Sequence, residues 1–213
     1  MTTTNNARGR RESGTQNMIV ETACRLFGEV GYEGTSMRDL ARAVGIQPAS
    51  IYSHYKSKEE LLWEIYQEAM GTLDRMQTDG NDDNQALEER ILKYVQIHAE
   101  FHAEHHRHAH ISNTQMASLS PIHYNVANEW RNDYELRFRR LLEQALDEGL
   151  TDIDNPRLYS YAILQMGMSI ASWFRPEGPI SVAEIGAAYA SMAARLLGLK
   201  PLEAAPREQL RNL

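Results

Sequence analysis

The stretch from Thr35 to Lys58 constrains the fold of this chain more than any other, because it holds start and stop signals for two helices separated by a single turn. Ser36 and Asp39 have the S-x-x-D spacing of a capping box, which predicts the start of a helix. Gly45 then supplies the left-handed residue with which many helices end. Pro48 suits a first helical position, where its missing N–H costs nothing. The stretch therefore predicts a helix, a tight turn and a second short helix.

Two short helices joined at about a right angle have the shape of a DNA major-groove reader. In that arrangement the first helix braces against the DNA backbone, and the N-terminal residues of the second reach base edges. We expect base contacts from Gln47, Ala49 and Ser50, and phosphate contacts from Tyr52 and His54 near the helix end. The alternative is an ordinary helical hairpin inside an all-helical domain.

The residue pattern of this stretch resembles the signature of the TetR family of transcriptional repressors. That signature reads T-[ST]-x-x-[DE]-[IL]-A, then G-[VI], then Tyr-x-[YH]-[FY], then S-K-E-x-L. The matching residues are Thr35, Ser36, Asp39, Leu40, Ala41, Gly45, Ile46, Tyr52, His54, Tyr55, Ser57, Lys58, Glu59 and Leu61. The match covers roughly residues 15 to 65. Pro48 and His54 depart from the family's usual residues, which leaves the operator sequence open.

The resemblance implies a homodimer that binds a palindromic double-stranded DNA operator and responds to a small-molecule inducer. It also implies a lever helix after the motif, which transmits ligand binding to the DNA-binding end. Further DNA contacts are then expected from the first residues of the motif, from the start of the lever helix and from a basic N-terminal arm, namely Thr35, Ser36, Lys58, Arg8, Arg10 and Arg11. For the arm, a solvated tail is the alternative.

The distribution of charge agrees with DNA binding at one end of the chain. The net charge of −7, taken over the whole chain, argues against a nucleic-acid partner. Residues 1–58, however, contain eight Lys/Arg and five Asp/Glu, whereas the remaining residues contain fourteen and twenty-four. The first part is net +3 and the second net −10, so the positive part is the one that carries the motif.

Helical periodicity in the rest of the chain predicts an all-α fold, with an N-terminal three-helix DNA-binding domain that contains the helix-turn-helix, followed by a helical ligand-binding and dimerisation domain. The expected divisions are a disordered basic arm over 1–14, the DNA-binding domain over 15–60, the helical body over 61–199 and a tail over 200–213. The lever helix is expected to end before a loop at 78–85, where Gly, Asn and Asp cluster.

Length and composition set the broad class of the protein. With 213 residues and 42% hydrophobic composition, the chain is long enough to bury a full core. No stretch is apolar enough to span a bilayer, and the polar N-terminus lacks the apolar segment of a signal peptide. We therefore expect a soluble cytoplasmic protein without a membrane partner, in which the single cysteine, Cys24, is a buried bystander.

Histidines in the body continue an apolar helical face. The residues that recur at spacings of three and four are Leu87, Ile91, Val95, His98, His102 and His105. His98 and His102 have the spacing of a metal-chelating pair, but no cysteine lies near them and no third ligand can be assigned. We therefore expect no metal and no cofactor, and interpret these histidines as structural or as part of a ligand cavity.

Apolar and aromatic side chains beside polar ones predict a ligand cavity in the body. The expected lining residues are His98, Phe101, His102, Asn113, Met116, Trp130, Arg131, Tyr134 and Met166. The alternative is ordinary core packing. Three segments, HHRHAHISNTQMASLSP, W-R-x-x-Y-x-x-x-F and W-F-R-P-x-G-P-[IL]-S, resemble the C-terminal domains of TetR-type regulators of lipid and steroid catabolism. This resemblance implies an acyl-CoA-type inducer, and another small hydrophobic ligand is the alternative. The mixture of side chains fits a ligand whose apolar part is buried while an anionic or carbonyl end lies beside the arginine and the histidines.

Small residues on the last two predicted helices favour close helix packing. They are Gly167, Ala171, Ala187, Ala190 and Ala194. The resemblance implies that they form a dimer interface, and packing within one chain is the alternative.

Two other functional classes compete with a ligand-responsive DNA-binding repressor. A His-cluster metal-binding enzyme would need a complete metal set, or a nucleophile with its base and oxyanion donor, and the sequence contains neither. We therefore expect no catalytic residues. A helical protein-interaction module is the other rival, and it would not retard DNA.

Overall fold

The computed structural model describes the backbone of residues 3–200 and the side chains of residues 14–200. Over this range the chain is helical and contains no strand, which confirms the predicted fold class. The helices are α1 (Thr3–Glu29), α2 (Met37–Val44), α3 (Pro48–His54), α4 (Lys58–Gly80), α5 (Leu87–Glu104), α6 (His106–Thr114), α7 (Pro121–Asp147), α8 (Pro156–Trp173) and α9 (Val182–Leu197). None of the described helices has both the length and the apolar character needed to cross a membrane.

Local hydrogen bonds at the helix ends confirm the predicted start and stop signals. The Ser36 hydroxyl accepts from the Asp39 N–H at 3.2 Å, and the Asp39 carboxylate accepts from the Ser36 N–H at 3.1 Å. Ser181 and Glu184 form the same box at the start of α9. Gly45 ends α2 with a φ of 80°, a left-handed conformation that favours glycine. These signals place α3 one tight turn after α2.

The head, which we define as α1 to α3 with the first turns of α4, has an apolar core that continues into the body. Its fully buried side chains include Ile19, Leu40, Ile51, Leu61 and Ile65. The same cluster also takes in Ile111, Leu119 and Ala127, which lie at or after α6. Because head and body share this packing, the proposed division at residue 60 stays a prediction.

Helix α5 occupies the centre of the body. It packs against α4, α6, α7, α8 and α9, and eleven of its side chains are buried, from Leu87 to Ala103. A helix that is apolar on most sides must be covered on most sides. The helices α4, α6, α7, α8 and α9 therefore surround α5, and a ligand cavity in the body would lie between α5 and these neighbours.

The N-terminal boundary differs from the prediction of a disordered arm over 1–14, because α1 begins at Thr3. The packed part of α1 supplies the helix nucleus. Extending the helix from this nucleus costs little free energy, since each added residue gains a backbone hydrogen bond. Arg8, Arg10 and Arg11 lie before the first described side chain. Residues 201–213, which make up nearly all of the predicted tail, lie outside the described range.

The end of α4 also differs, because the helix continues to Gly80 through residues where a loop was expected. A Cβ added at Gly80 would lie 2.5 Å from Cδ1 of Ile97, so α4 and α5 approach closely at this point. Gln77 is buried one turn earlier. Packing against α5 thus overrides the weak helix propensity of this segment.

Candidate DNA-binding face and ligand cavity

The outer face of α3 is exposed in the part of the chain that the structure describes. Gln47, Ala49, Ser50 and Tyr52 are exposed, and Ile51 is the buried residue of this helix. Gln47 occupies the position before α3, but its side chain makes no capping hydrogen bond. The structure thus brings the four predicted contact residues together on one accessible surface, with His54 half-buried at its end.

Other predicted DNA contacts have structural roles in the head. Thr35 is buried, and its hydroxyl donates to the Gly31 carbonyl at 2.9 Å, which corrects its assignment as a contact residue. Ser36 is exposed, but its hydroxyl forms the cap of α2. Lys58 Nζ donates to the Tyr32 carbonyl at 2.6 Å and lies 4.0 Å from the centre of the Tyr32 ring. The Glu33 carboxylate lies 3.9 Å from the same nitrogen. Lys58 therefore braces the head, and because an ammonium has three donors, one remains for a phosphate.

A cavity of about 220 Å³ lies in the body among α4, α5, α6, α7 and α8. Six of the nine predicted lining residues surround it, namely His98, Phe101, His102, Asn113, Arg131 and Tyr134. Met116, Trp130 and Met166, which were also predicted, do not line this cavity. Met116 and Trp130 pack against the core of the head, and Met166 packs against the core of the body.

Several lining residues were missed by sequence reasoning, including Ser112, Asn128, Glu135, Tyr161, Gln165 and Met168. Helical spacing was the signal that could have found some of them. Asn128 and Glu135 lie three residues before and four residues after Arg131, so all three occupy one face of α7. The lining residues of α8 could not be found in this way, because the one α8 residue predicted to line the cavity, Met166, does not line it.

A buried chain of hydrogen bonds fixes the proton of His98. Its Nε2 lies 3.0 Å from the Leu164 carbonyl, which only accepts, so Nε2 carries the proton. Its Nδ1 therefore accepts from the Tyr134 hydroxyl at 3.0 Å, and Tyr134 in turn accepts from the Gln77 amide at 2.9 Å. Burial lowers the pKa of His98 to about 4, in spite of the hydrogen bond to Leu164. The chain links α4, α7, α5 and α8 through uncharged groups.

His102 is also held neutral. Its Nδ1 donates to the His98 carbonyl at 2.9 Å, which leaves Nε2 as an acceptor. Burial, with a smaller contribution from His98, lowers the pKa of His102 well below its usual value. Neither histidine is therefore positively charged at neutral pH, so neither supplies positive charge to the anionic or carbonyl end expected beside them.

Arg131 is the permanent cation among the described residues that line the cavity. Its Nη2 donates to the Ser112 carbonyl and to Asn113 Oδ1, both at 3.2 Å. Glu135, which accepts from the Ser160 hydroxyl, brings a carboxylate to the same cavity. Across residues 14–200, no three His, Cys, Asp or Glu side chains are placed to hold a metal ion. The cavity thus combines an apolar wall with one arginine, one carboxylate and a neutral acceptor.

The first turn of α4 is tied to the start of α7. Glu59 Oε1 accepts from the Ser120 N–H and from His123 Nδ1, each at 2.7 Å. Burial tends to raise the pKa of Glu59, but these hydrogen bonds outweigh it and the pKa is lowered. The His123 ring stacks on Trp63 with centroids 4.5 Å apart, and Trp63 stacks on Trp130 at 5.3 Å. We call these five residues the head–body clamp.

The small residues assigned to a dimer interface pack within the chain instead. Ala171, Ala190 and Ala194 are buried, and Ala187 is half-buried. A Cβ at Gly167 would lie 2.3 Å from the His98 ring, so this glycine allows α8 to approach α5. As a correction, the close approach that the small residues permit is between α5 and its own neighbours α8 and α9.

Comparison with known proteins gives two family matches. The family described as "Bacterial regulatory proteins, tetR family" matches residues 19–65, and the "Tetracyclin repressor-like, C-terminal domain" matches residues 84–197. Among curated proteins, the chain is 28% identical over 180 residues to the HTH-type transcriptional repressor KstR2 of Mycolicibacterium smegmatis, a match that covers 80% of this chain and 84% of that protein.

Two solved structures have the same fold over most of their length. A regulatory protein in the tetR family from Rhodococcus RHA1 has a TM-score of 0.81 and 25% identity, over 87% of this chain and 98% of that one. AibR in complex with isovaleryl coenzyme A and operator DNA has a TM-score of 0.73 and 26% identity, over 87% of this chain and all of that one. The likeness therefore includes both the head and the body.

Proposed function

The chain belongs to the tetR family of bacterial regulatory proteins, and on this premise we propose that it is a homodimeric repressor that leaves a palindromic operator when a short-chain acyl-CoA enters the body cavity. Proteins of this family regulate transcription and are not enzymes. The observation that carries the ligand proposal is the cavity among α4 to α8, with Arg131 on its wall.

The DNA-binding part of the proposal rests on the exposed face of α3. Gln47, Ala49 and Ser50 lie at its N-terminal end, which is the end that reaches base edges in a helix-turn-helix. Tyr52 lies one turn further along, where it meets the phosphate backbone. Two such faces, related by the two-fold axis of a dimer, impose a palindrome on the DNA.

The size of the cavity favours a small acyl group. Its volume of about 220 Å³ is below the ~300–1,000 Å³ that is usual for sites of drug-sized ligands. A steroid-derived acid is therefore a poorer fit than a short branched chain. AibR, whose structure contains isovaleryl coenzyme A together with operator DNA, supports this class of ligand.

The polar groups of the cavity suit the thioester end of such a ligand. Arg131 offers donors to the thioester carbonyl oxygen, and the neutral His102 offers an acceptor to an amide N–H of the pantetheine arm. Because α4 forms one wall, a ligand that moves this wall also moves the helix that carries the head. The ligand releases DNA only to the extent that it prefers the DNA-free arrangement of the dimer.

The test is a titration of operator-bound protein, followed by fluorescence anisotropy of the labelled DNA. The panel contains isovaleryl-CoA, long-chain acyl-CoA thioesters, the matching free acids and CoA alone. We expect isovaleryl-CoA to release DNA at the lowest concentration, and Arg131→Gln to raise that concentration at least about tenfold, since a hydrogen bond to a charged group contributes ~1.5–3 kcal/mol.

The variant should bind the operator normally when no ligand is present, because Arg131 belongs to α7 and lines the body cavity, whereas α3 lies in the head. Release by free acids or unrelated aromatic compounds, with every thioester inactive, would show that the CoA part of the proposal is wrong.

A further inference from the structure

A second concave surface, open to solvent, runs along the outside of the body between α4 and α7. Its two parts have volumes of about 660 and 520 Å³, and both are lined by Arg137 and Arg140. The first part reaches back to Trp130, and the second reaches forward to Arg90. Because the parts share two arginines, they form one continuous surface, which we call the α4–α7 groove.

The groove borders the body cavity. Met70 and Tyr134 line both, so these two side chains form the wall between them. Methionine is unbranched and has three rotatable bonds, so it adapts its shape more easily than other core residues. A ligand with a small group in the cavity and a larger remainder can therefore extend past Met70 into the groove.

Three arginines give the groove the chemistry of a phosphate site. Arg137 pairs with Asp74 at 2.7 Å, and Arg90 pairs with Asp83 at 2.5 Å while its Nε is buried without a hydrogen-bond partner. Arg140 is exposed, and no side chain among residues 14–200 pairs with it. A guanidinium presents a planar fork of donors that matches two oxygens of a phosphate.

The charge of the groove stands out from that of the body around it. Its three arginines balance three aspartates, Asp74, Asp83 and Asp133, so the groove is formally neutral. The chain after residue 58 is net −10. An anion therefore meets less repulsion at this groove than the net charge of the body would suggest, since Arg140 has no paired carboxylate among residues 14–200.

The other end of the groove is aromatic. Trp130 lines it and is supported from behind by the stack on Trp63. Trp130 precedes Arg137 by seven residues, or about two helical turns and roughly 10 Å along α7. A flat ring that stacks on Trp130 thus lies within reach of phosphates held by Arg137 and Arg140.

From these contacts we propose that the α4–α7 groove binds the nucleotide half of an acyl-CoA, with the adenine on Trp130 and the phosphates on Arg137 and Arg140. The pantetheine arm passes the wall formed by Met70 and Tyr134, and the acyl group fills the body cavity. This assignment rests on the proposed function, because it concerns the same ligand.

The test is isothermal titration calorimetry with two probes, isovaleryl-CoA and S-isovaleryl-pantetheine, which lacks the nucleotide. Arg140→Ala should weaken binding of isovaleryl-CoA about five- to tenfold and reduce its dependence on salt, since it removes one charge-assisted phosphate contact. The same variant should bind S-isovaleryl-pantetheine as the wild type does. Arg107→Ala, which removes another exposed arginine, on α6 and outside both surfaces, is the matched control and should change neither affinity.

The outcomes separate this assignment from the proposed function. Equal affinity of Arg140→Ala and the wild type for isovaleryl-CoA, with operator release intact, overturns the groove assignment and leaves the repressor proposal standing. A selective loss for isovaleryl-CoA supports the groove. If isovaleryl-CoA neither binds nor releases the operator, the acyl-CoA part of the proposed function fails and the groove assignment fails with it.

Discussion

At the scale of single residues, Gln47 offers the cleanest test of base recognition. Its side chain is exposed and caps nothing, so its amide is free to pair with an adenine. We expect Gln47→Ala to leave thermal stability unchanged and to reduce discrimination between the operator and a single-base variant by ~1–3 kcal/mol. Anisotropy titrations with the two DNAs measure this difference.

The DNA affinity of Lys58→Ala is the comparison for that of Gln47→Ala, because Lys58 is expected to contact a phosphate and not a base. It should weaken binding to all sequences and lower the slope of log affinity against log salt by about one unit. It should also lower stability, because the amine donates to the Tyr32 carbonyl. If Gln47→Ala weakens binding to both DNAs equally, Gln47 contacts the DNA backbone and not a base.

The buried histidines predict how stability depends on pH. An unfolded histidine takes up a proton near pH 6.5, whereas His98 in the folded protein does so only at about pH 4. Between these values the unfolded state binds more protons, so the free energy of unfolding falls as the pH is lowered from about 6.5 to about 4. One such group contributes at most ~1.4 kcal/mol per pH unit. His102, whose pKa is also lowered, adds to the loss in the same direction.

Denaturant unfolding at several pH values measures this effect. His98→Gln keeps an amide in place of the Nε2–H donor to Leu164, and should make the dependence on pH shallower. His110→Gln, at a partly exposed histidine of α6, is the matched control. Identical slopes for His98→Gln and the wild type would mean that His98 does not titrate differently in the two states.

At the scale of helices, α8 and α9 carry apolar side chains that are exposed in the described part of the chain. The exposed ones are Leu158, Tyr161, Trp173, Met192 and Leu196. Leu158 and Tyr161 lie three residues apart on α8, and Met192 and Leu196 lie four apart on α9, so each pair occupies one helix face. We propose these faces as the dimer interface, in place of the small residues that pack on α5.

Leu196→Glu tests this interface. Leu196 is 49% exposed in the single chain, so a carboxylate is tolerated in the monomer but is buried without a partner in the dimer. We expect dimer affinity to fall at least about tenfold, as measured by sedimentation velocity, and operator affinity to fall with it. Leu146→Glu, at an exposed leucine on α7, is the control and should remain dimeric.

A bulky residue at Ala190 would give a different result. Ala190 is 3% exposed in the single chain, so Ala190→Leu should destabilise the monomer itself. A wild-type protein that sediments as a monomer at micromolar concentration, with full operator affinity, would contradict the dimer proposal altogether.

At the scale of the whole molecule, the head–body clamp provides a route from the cavity to the DNA-binding face. Glu59 belongs to the first turn of α4, which is part of the head, and its partners Ser120 and His123 lie at the start of α7. Further along α7, Arg131 and Tyr134 line the cavity. A ligand that shifts α7 therefore acts on the head through this contact as well as through α4.

We expect Glu59→Ala to bind the operator but to respond less to ligand. The coupling between two sites is typically ~1–3 kcal/mol, so a loss of part of it would raise the isovaleryl-CoA concentration needed for release by a few-fold. The operator anisotropy assay measures this, and Glu129→Ala, at an exposed glutamate of α7, is the control. An unchanged response in Glu59→Ala would show that the clamp only stabilises the fold.

The sequence by itself determined the helices and the family, because the signals for both are local. A capping box such as Ser36 with Asp39 joins residues three apart, and Gly45 ends α2 through its own backbone conformation. The starts of α7 and α8 follow from Pro121 and Pro156 in the same way. Helical spacing was also enough to place His98 and His102 on a buried face.

Only the tertiary structure decided what each buried face meets. The Leu164 carbonyl, which fixes the tautomer of His98, lies 66 residues away in the sequence. Trp130 does not line the body cavity, because it stacks on Trp63 of another helix. The alanines of α9 could have packed on a second chain or on α5, and their spacing is the same in both cases. Periodicity specifies which face of a helix is apolar, whereas the identity of its neighbour depends on how all the helices fill the interior together.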